Sequence, residues 1–256
     1  MIPPTMVAFG AGVNSAAMLI GMHARGQRPD AITFADTGGE RPSTYAFVGL
    51  MSSWCESVGF PDIVTVKNDG MYESLEDNCL KKEMLPSLAY GFKSCSDKYK
   101  KRPQEKWAKS WPPAVDCWAA GGRVVKLLGI DIGETRRAKI RDDKHYVYRY
   151  PLIEWDWDRN DCLQAIKGAG LPNPGKSACF FCPASTKSEI LALASDHPDL
   201  FARAVKMEQN ASLDTVKGLG RSFAWGDYVA ADKAQGKLFP EVIDQDCLCF
   251  DGEGDE

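Results

Sequence analysis

Two cysteines near the carboxyl-terminal end of the sequence have the spacing of a metal-binding pair. Cys179 and Cys182 form a C-x-x-C motif within the segment KSACFFCP, and two thiolates at this spacing can chelate one metal centre. Pro183 follows the pair, as a proline follows many iron–sulfur ligand runs. A thioredoxin-like redox pair and two unrelated packing thiols are the alternatives. The redox motif opens a helix after a strand, whereas this pair follows the loop LPNPGKSA.

A second candidate site is the glycine turn GAGVNS at residues 10–15. The apolar run Met6–Phe9 before it predicts a buried strand, and the apolar pattern over Ser15–His23 predicts a helix. Gly10 and Gly12 allow an anion to approach the backbone closely, and the free N–H groups of a helix start favour negative charge. The turn therefore predicts a phosphate site, with an ordinary strand-to-helix connection as the alternative.

A polar loop follows the second predicted strand, Ala31–Asp36. It carries Asp36, Thr37, Gly38 and Glu40, and open α/β sheets bind ligands at the carboxyl ends of their strands. The alternative is a turn in which Asp36 or Thr37 caps the next helix.

Another polar loop follows the predicted strand Val124–Ile130. Glu134 lies in it, as does a pair of adjacent arginines that ends at Arg137. Two guanidinium groups could hold a phosphate in a bidentate grip, or could pair with Asp142 and Asp143.

Strand and helix patterns alternate through the first half of the chain. Phe47, Leu50, Met51 and Trp54 share one face of a predicted helix over Ser43–Val58. Further predicted segments are strands at Asp62–Lys67 and His145–Trp155 and helices around Glu73–Met84, Gln104–Ser110 and Asp158–Lys167, the last containing Cys162 as a packing thiol. The alternation without hairpin signals predicts an α/β fold with a mainly parallel, doubly wound sheet.

A local basic cluster interrupts this pattern. Its members are Lys93, Lys98, Lys100, Lys101, Arg102, Lys106 and Lys109. In an acidic chain, such a cluster indicates an anionic ligand, and a solvated face is the alternative.

Composition limits the class of protein. A chain of 256 residues with 44% hydrophobic content can bury one core, or one core with an appended subdomain. An odd count of nine cysteines does not fit a disulfide framework, which indicates a reducing cytoplasm and metal-binding thiols. The net charge of −4 argues against broad, nonspecific nucleic-acid binding. No apolar stretch reaches membrane-spanning length, and the amino terminus has no signal-peptide pattern.

The amino-acid sequence of the glycine turn resembles the SGGxDS loop of the PP-loop ATP pyrophosphatases. Within that superfamily it is most similar to the phage-type phosphoadenosine phosphosulfate (PAPS) reductase-like proteins. Gly10, Ala11 and Asn14 replace the Ser, first Gly and Asp of that loop, which removes a hydroxyl and a carboxylate used in pyrophosphatase chemistry but keeps the backbone groups.

Four further segments match this family in its order. They are the DTG at residues 36–38, the Cys-Lys-Pro segment from Cys95 to Pro103, the GI…E…R segment ending at Arg137, and CFFCP at residues 179–183. The resemblance implies the adenine nucleotide alpha-hydrolase-like fold, a parallel sheet of about five strands with helices on both faces. It also implies a nucleotide-binding domain over residues 1–170, with a basic helical insertion at about 71–120, and a cysteine-bearing helical region over 171–256 packed on it.

The resemblance further implies the site. The residues expected around the nucleotide are Gly10, Ala11, Gly12, Asn14, Ser15, Asp36, Thr37, Gly38, Lys100, Lys101, Arg102, Glu134 and Arg137. Cys95, Cys179 and Cys182 are expected to bind a [4Fe–4S] cluster together with Cys247 or Cys249, zinc being the alternative. No catalytic residue is assigned.

The activity that the resemblance implies is sulfur transfer, with ATP activating the substrate and an iron–sulfur cluster taking part. A PAPS reductase-type oxidoreductase that releases sulfite is one alternative, although the tail reads DCLCFDG in place of an ECG-type catalytic motif. A nucleotide-binding or sensing module without catalysis is the other. The expected partners are ATP or PAPS and an anionic substrate, with nucleic acid among the candidates. A cytoplasmic protein without a membrane span is expected, and a homodimer is left open.

Overall fold

A five-stranded parallel sheet forms the centre of the fold. The computed structural model describes residues 2–235. The strands are β1 (Thr5–Phe9), β2 (Ala31–Asp36), β3 (Ile63–Lys67), β4 (Val124–Leu128) and β5 (Tyr146–Arg149), in the spatial order β3-β2-β1-β4-β5. Every neighbouring pair is parallel. The predicted α/β fold with a parallel sheet is therefore confirmed.

The helices follow and separate the strands. In chain order they are α1 (Val13–Ala24), α2 (Pro42–Ser57), α3 (Leu75–Lys81), α4 (Ser94–Ser96), α5 (Arg102–Ala108), α6 (Pro112–Ala119), α7 (Pro151–Glu154), α8 (Arg159–Gly168), α9 (Lys187–Asp196), α10 (Pro198–Asn210) and α11 (Trp225–Gln235). Short 3₁₀ segments lie at Ser87–Tyr90 and Ile132–Arg137, and a π-helical turn covers Asp97–Lys101.

The chain divides into two compact units that alternate along the sequence. The first contains residues 2–36, 40–67 and 100–178, and therefore the whole sheet. The second contains residues 37–39, 68–99 and 179–235.

Both faces of the sheet are covered in the first unit. Val7 and Phe9 of β1 belong to a buried cluster with side chains of α1, α2 and α8. Met6, which points to the opposite face because side chains alternate along a strand, belongs to a second cluster with Ala108 of α5 and Ala114 of α6. The helices of the first unit thus form a layer on each side of the sheet, as expected.

The second unit has a helical core of its own. Leu193 of α9, Met207 of α10 and Trp225 of α11 pack there with Phe180 and Phe181 of the CFFCP segment. A buried carboxylate supports this core: Glu208 accepts hydrogen bonds from the backbone N–H groups of Leu219, Trp225 and Gly226.

The structure differs from the sequence prediction in several details. The last strand ends at Arg149 and not at Trp155, because Pro151 has no N–H to donate to a ladder and instead begins α7. Leu50 is 46% exposed although Phe47 and Met51 of the same helix are buried. The helix α6 was not predicted.

The outer side of β5 is covered by two side chains from the preceding loop. Asp142 Oδ1 accepts from the backbone N–H of Tyr148 (3.0 Å). Asp143 Oδ1 accepts from the N–H groups of His145 (2.8 Å) and Tyr146 (2.9 Å). Backbone donors of β5 that do not face β4 are therefore satisfied within the chain.

None of the helices within residues 2–235 combines the length and the apolar content needed to cross a membrane.

A lysine is buried on one face of the sheet. Lys126 of β4 is 4% exposed, and its ammonium lies 5.4 Å from the ring centre of Tyr146. Burial lowers the pKa of Lys126 to about 8, and the nearby Glu105 carboxylate opposes this shift. The folded chain therefore disfavours the charged form that the unfolded chain holds up to a pKa of about 10.5.

We expect Lys126→Met to stabilise the protein below pH 8. The depressed pKa places an electrostatic cost on the parent that is complete below pH 8 and disappears as the pH rises towards 10.5. Urea unfolding should show a gain on the order of 3 kcal/mol at pH 7 and less than about 1 kcal/mol at pH 10. Lys167→Met, at an exposed position of α8, is the control and should show neither effect.

Candidate functional site

Two loops of the first unit meet at the carboxyl edge of the sheet. The chain moves from β1 to β2 and β3 on one side, and then returns to place β4 and β5 on the other side of β1. The loops after β1 and β4 therefore leave adjacent parallel strands at the point where the strand order reverses. Open α/β sheets bind ligands at such a point.

The glycine turn leads directly from β1 into α1. Gly12 occupies the position before the first helical residue, and the hydroxyl of Ser15 bonds to both its N–H (3.3 Å) and its carbonyl (3.1 Å). Ala11 is fully buried and has a φ of 56°, a left-handed conformation that glycine adopts more readily. A Cβ atom on Gly12 would lie 3.0 Å from the hydroxyl of Ser177. The backbone at Gly12 is therefore closely surrounded by the hydroxyl groups of Ser15 and Ser177.

A chain of hydrogen bonds joins the glycine turn to the loop after β4. Asn14 donates from Nδ2 to Oε2 of Glu134 at 3.0 Å. Glu134 Oε1 pairs with Nη1 of Arg137 at 2.5 Å, and Nη1 of Arg159 donates to Oδ1 of Asn14 at 3.2 Å. Two guanidinium groups therefore belong to the network at the start of α1. Of the four residues, the sequence prediction missed Arg159, whose only local signal is a helix cap at Asp158.

Gly129 allows the second loop to pass close to α1. A Cβ atom at this position would lie 2.8 Å from backbone atoms of Asn14 and Ser15. Real Cβ atoms do not make such contacts with backbone, so only glycine fits here without a shift. Gly129, the glycine of the GI segment, is therefore required because the loop after β4 passes against the start of α1.

Asp36 lies at the end of β2 and already has two partners. Its carboxylate accepts from the hydroxyl of Tyr45 at 2.7 Å and pairs with Nζ of Lys67 at 3.1 Å. Burial, followed by the hydrogen bond to Asp36, raises the pKa of Tyr45 above its ordinary value. In the structure this aspartate links α2 and β3 to β2.

Several members of the basic cluster have partners within their own unit. Lys100 pairs with Glu40 at 3.1 Å, and the side chain of Glu40 is only 1% exposed. Lys101 pairs with Glu105 at 3.7 Å, whereas Arg102 is exposed at the start of α5. Lys98, in the second unit, lies near the rings of Tyr72 and Tyr99. Lys100 therefore neutralises a buried carboxylate in addition to any contact with a ligand.

In the second unit, the TGG segment at residues 37–39 holds the C-x-x-C motif. The hydroxyl of Thr37 lies 3.1 Å from Sγ of Cys179, and both residues are buried. The N–H of Phe180 donates to the carbonyl of Gly39 at 2.8 Å, and a Cβ atom on Gly39 would collide with the ring of Phe181. The second glycine of this segment is therefore fixed by packing against CFFCP.

The direction of the hydrogen bond between Thr37 and Cys179 depends on whether the thiol is ionised, since either neutral group can donate. The N–H of Gly39 donates to the hydroxyl oxygen of Thr37 at 3.3 Å, which leaves the hydroxyl hydrogen available to Cys179. A thiolate can only accept, so Thr37 is the donor whenever Cys179 is ionised.

Four thiols belong to the same buried cluster of the second unit. Cys79 and Cys179 are buried, and Cys95 and Cys182 are partly buried against the cluster. Burial raises the pKa of Cys79 to about 12, and the proximity of Cys95 adds to the shift. Cys79 was not predicted as a member of this group, because nothing near it in the sequence resembles a ligand motif.

The donor chemistry of these thiols fits a soft metal or an iron–sulfur cluster, and the hydroxyl that Thr37 directs at Cys179 fits a ligand sulfur. Within residues 2–235, no group of three or more His, Cys, Asp or Glu residues is arranged to hold a metal ion. Cys247 and Cys249, the predicted fourth ligands, lie outside the described residues.

Cys162, His23 and His145 have packing roles in the first unit. Cys162 is fully buried, as predicted, and burial raises its pKa to about 12. His23 packs edge-on against Trp54 and Phe60. His145 was predicted inside a strand, but it immediately precedes β5 and packs against Trp118.

Comparison with known proteins found similarity among solved structures. No protein-family model matches the chain, and no curated protein matches it. Among solved structures, it is similar to "U34-tRNA thiolase NcsA from Methanococcus maripaludis with its [4Fe-4S] cluster". The TM-score is 0.44 and the identity 15%, over 94% of this chain and 84% of that chain. At this degree of similarity, the neighbour assigns neither a substrate nor a cofactor to the present chain.

We expect Lys100→Met to destabilise the protein by about 2 kcal/mol, because it leaves the carboxylate of Glu40 buried without its cation. This value is below that of a fully buried pair because Lys100 is 38% exposed. Glu40→Gln in the same background should restore most of the loss in urea unfolding.

Lys101→Met is the matched control, since its pair with Glu105 is longer and more exposed. It should change the free energy of unfolding by less than about 0.5 kcal/mol. Equal effects of the two substitutions would show that the Glu40 pair has no special role.

Proposed function

We propose that this chain binds an adenine nucleotide at the carboxyl edge of its sheet and uses ATP to activate a substrate for sulfur transfer. The observation that supports this most is the placement of the glycine turn and the start of α1 at the switch point between β1 and β4. The free N–H groups of the helix start attract an anion. The sequence GAGVNS resembles the phosphate-binding loop of the PP-loop proteins. This resemblance favours the phosphates of a nucleotide as the anion.

Side chains of the network supply the remaining charge. Arg137 and Arg159 add two guanidinium groups whose geometry suits phosphate oxygens. Asn14 takes the place of the aspartate of the PP-loop motif and holds both loops through Glu134. The neutral amide adds no negative charge beside the phosphates, which favours nucleotide binding.

The cysteines of the second unit are the proposed ligands of an iron–sulfur cluster. Cys95, Cys179 and Cys182 would hold it together with Cys247 or Cys249. When bound, such a cluster supplies electron transfer and soft sites for sulfur. Thr37 would donate to the Cys179 sulfur and so fix the orientation of that ligand.

Gly12→Leu should abolish ATP binding in calorimetry while the fold survives. The added side chain would meet the hydroxyl of Ser177, which can rotate away, and its branches would then occupy the space of the anion. Gly49→Leu is the matched control, because a Cβ atom there meets nothing within 4 Å. Unchanged affinity in a folded Gly12→Leu variant would contradict the proposed nucleotide site.

The product that forms distinguishes sulfur transfer, PAPS reduction and nucleotide sensing from one another. Sulfur transfer with substrate activation should release pyrophosphate from ATP in the presence of candidate substrates. Release of sulfite from PAPS would instead show a reductase, and nucleotide binding without either product would show a sensing module.

Protein purified without oxygen should be brown, with a broad visible absorption that dithionite bleaches. Cys179→Ala and Cys182→Ala should each remove the colour, since each deletes a ligand. Cys162→Ala, which removes a buried thiol of the first unit, should keep it. One stoichiometric zinc in colourless protein would overturn the cluster in favour of the alternative metal.

A further inference from the structure

An exposed segment rich in cations follows the switch-point network. Residues 136–144, here called the basic loop, comprise the last two residues of the short 3₁₀ turn that ends at Arg137 and the irregular backbone that follows it. All five of its cations are exposed. They are Arg136, Arg137, Lys139, Arg141 and Lys144. In the middle of the segment, the N–H of Ile140 donates to the hydroxyl of Tyr150 at 3.3 Å.

The basic loop also contains two carboxylates, so its five cations exceed its anions by three charges. Asp142 and Asp143 use their Oδ1 atoms to accept from backbone N–H groups at β5. The second oxygen of Asp142 faces Arg123, which lies outside the loop, at 3.4 Å. Arg137 pairs with Glu134. The other four cations form no ion pair with any residue between 2 and 235.

The arrangement of these four charges fits a linear polyanion. Arg136, Lys139, Arg141 and Lys144 are all exposed and are spaced two or three residues apart in sequence, a spacing that allows contacts with several successive phosphates. Their mutual repulsion decreases when a chain of phosphates replaces the counterions around them. Guanidinium and ammonium groups together are typical of nucleic-acid contacts.

A membrane surface fits less well. Surface-binding segments combine cations with a continuous apolar face, whereas Ile140, 48% exposed, is the one large apolar side chain of the loop.

From this charge distribution we propose that the basic loop is a docking surface for the phosphate backbone of a nucleic-acid strand. Arg136, Lys139, Arg141 and Lys144 are not members of the proposed nucleotide site, although Arg137 of the same loop pairs with Glu134, which bonds to Asn14. A docked strand would therefore pass beside the switch point of the first unit. This inference assigns nucleic acid, one of the anionic partners expected from the sequence, to a specific surface, and it does not depend on the proposed nucleotide site.

The test is fluorescence anisotropy with a labelled 20-nucleotide RNA or DNA strand of mixed sequence, titrated between 50 and 200 mM salt. The variant Lys139→Gln with Lys144→Gln is compared with Lys109→Gln with Lys167→Gln. Both pairs remove two exposed lysines of the first unit, so net charge and residue type are matched.

We expect the loop pair to weaken binding about tenfold at 100 mM salt and to lower the slope of log affinity against log salt by roughly 1.4, or 0.7 for each lost phosphate contact with a single strand. The control pair should stay within about twofold of the parent. Adding Arg136→Gln and Arg141→Gln to the loop pair should double the change in slope.

Equal losses in the two pairs, or no binding by the parent at 50 mM salt, would overturn the proposal. So would oligonucleotide binding that is unchanged while binding to vesicles of phosphatidylserine and phosphatidylcholine is lost, since the partner would then be a membrane. Calorimetry with ATP on the same loop pair should match the parent. A failure of the nucleotide site would appear there and not in the strand titration.

Discussion

The close approach of two backbone segments at Gly129 is the constraint on which the candidate site depends. The absence of a side chain at this residue lets the loop after β4 lie against the first turn of α1. That proximity brings Glu134 within 3.0 Å of Asn14 and adds Arg137 to the same network as Arg159. Without it, Glu134 and Arg137 would be separated from the helix start, which Arg159 contacts directly. The proposed anion site therefore depends on the segments that follow β1 and β4, which are neighbouring parallel strands.

In the second unit, too, a glycine permits the close packing that positions a polar side chain. Gly39 permits Phe181 to pack where a Cβ atom would stand, and this packing keeps Thr37 beside Cys179. The DTG segment therefore has two roles in the structure. Its aspartate ties together β2, α2 and β3, while its threonine contacts a sulfur. The resemblance alone assigned all three residues to the nucleotide.

The sheet could be predicted from the sequence because its strands are short apolar runs separated by helical patterns. Met6–Phe9 and Ala31–Asp36 are buried on both faces, so their composition alone identifies them. The error at Tyr150–Trp155 arose because aromatic and β-branched residues favour a strand locally, whereas Pro151 decides the outcome. The exposure of Leu50 could not be predicted, because the helical pattern shows which side of α2 is apolar but not how many residues on that side are buried.

The candidate site could be predicted less completely. The glycine turn, Glu134 and Arg137 have motifs, and the structure joins them. Arg159 has none, because its role comes from a contact 145 residues away in sequence. The partners of Lys100 and Asp36 are also long-range or depend on burial, so a pattern of charges could not distinguish a ligand contact from an internal ion pair.

The two aspartates at the outer side of β5 also limit how copies of this chain can associate. An uncovered strand offers its backbone to any second strand, and edge-to-edge pairing of that kind leads to continuous sheets or aggregation. Asp142 and Asp143 already occupy the N–H groups of Tyr146 and Tyr148. An incoming strand would have to displace both carboxylates and strip water from their charges. A homodimer built by extending the sheet through β5 is therefore disfavoured, and self-association would have to use side-chain surfaces.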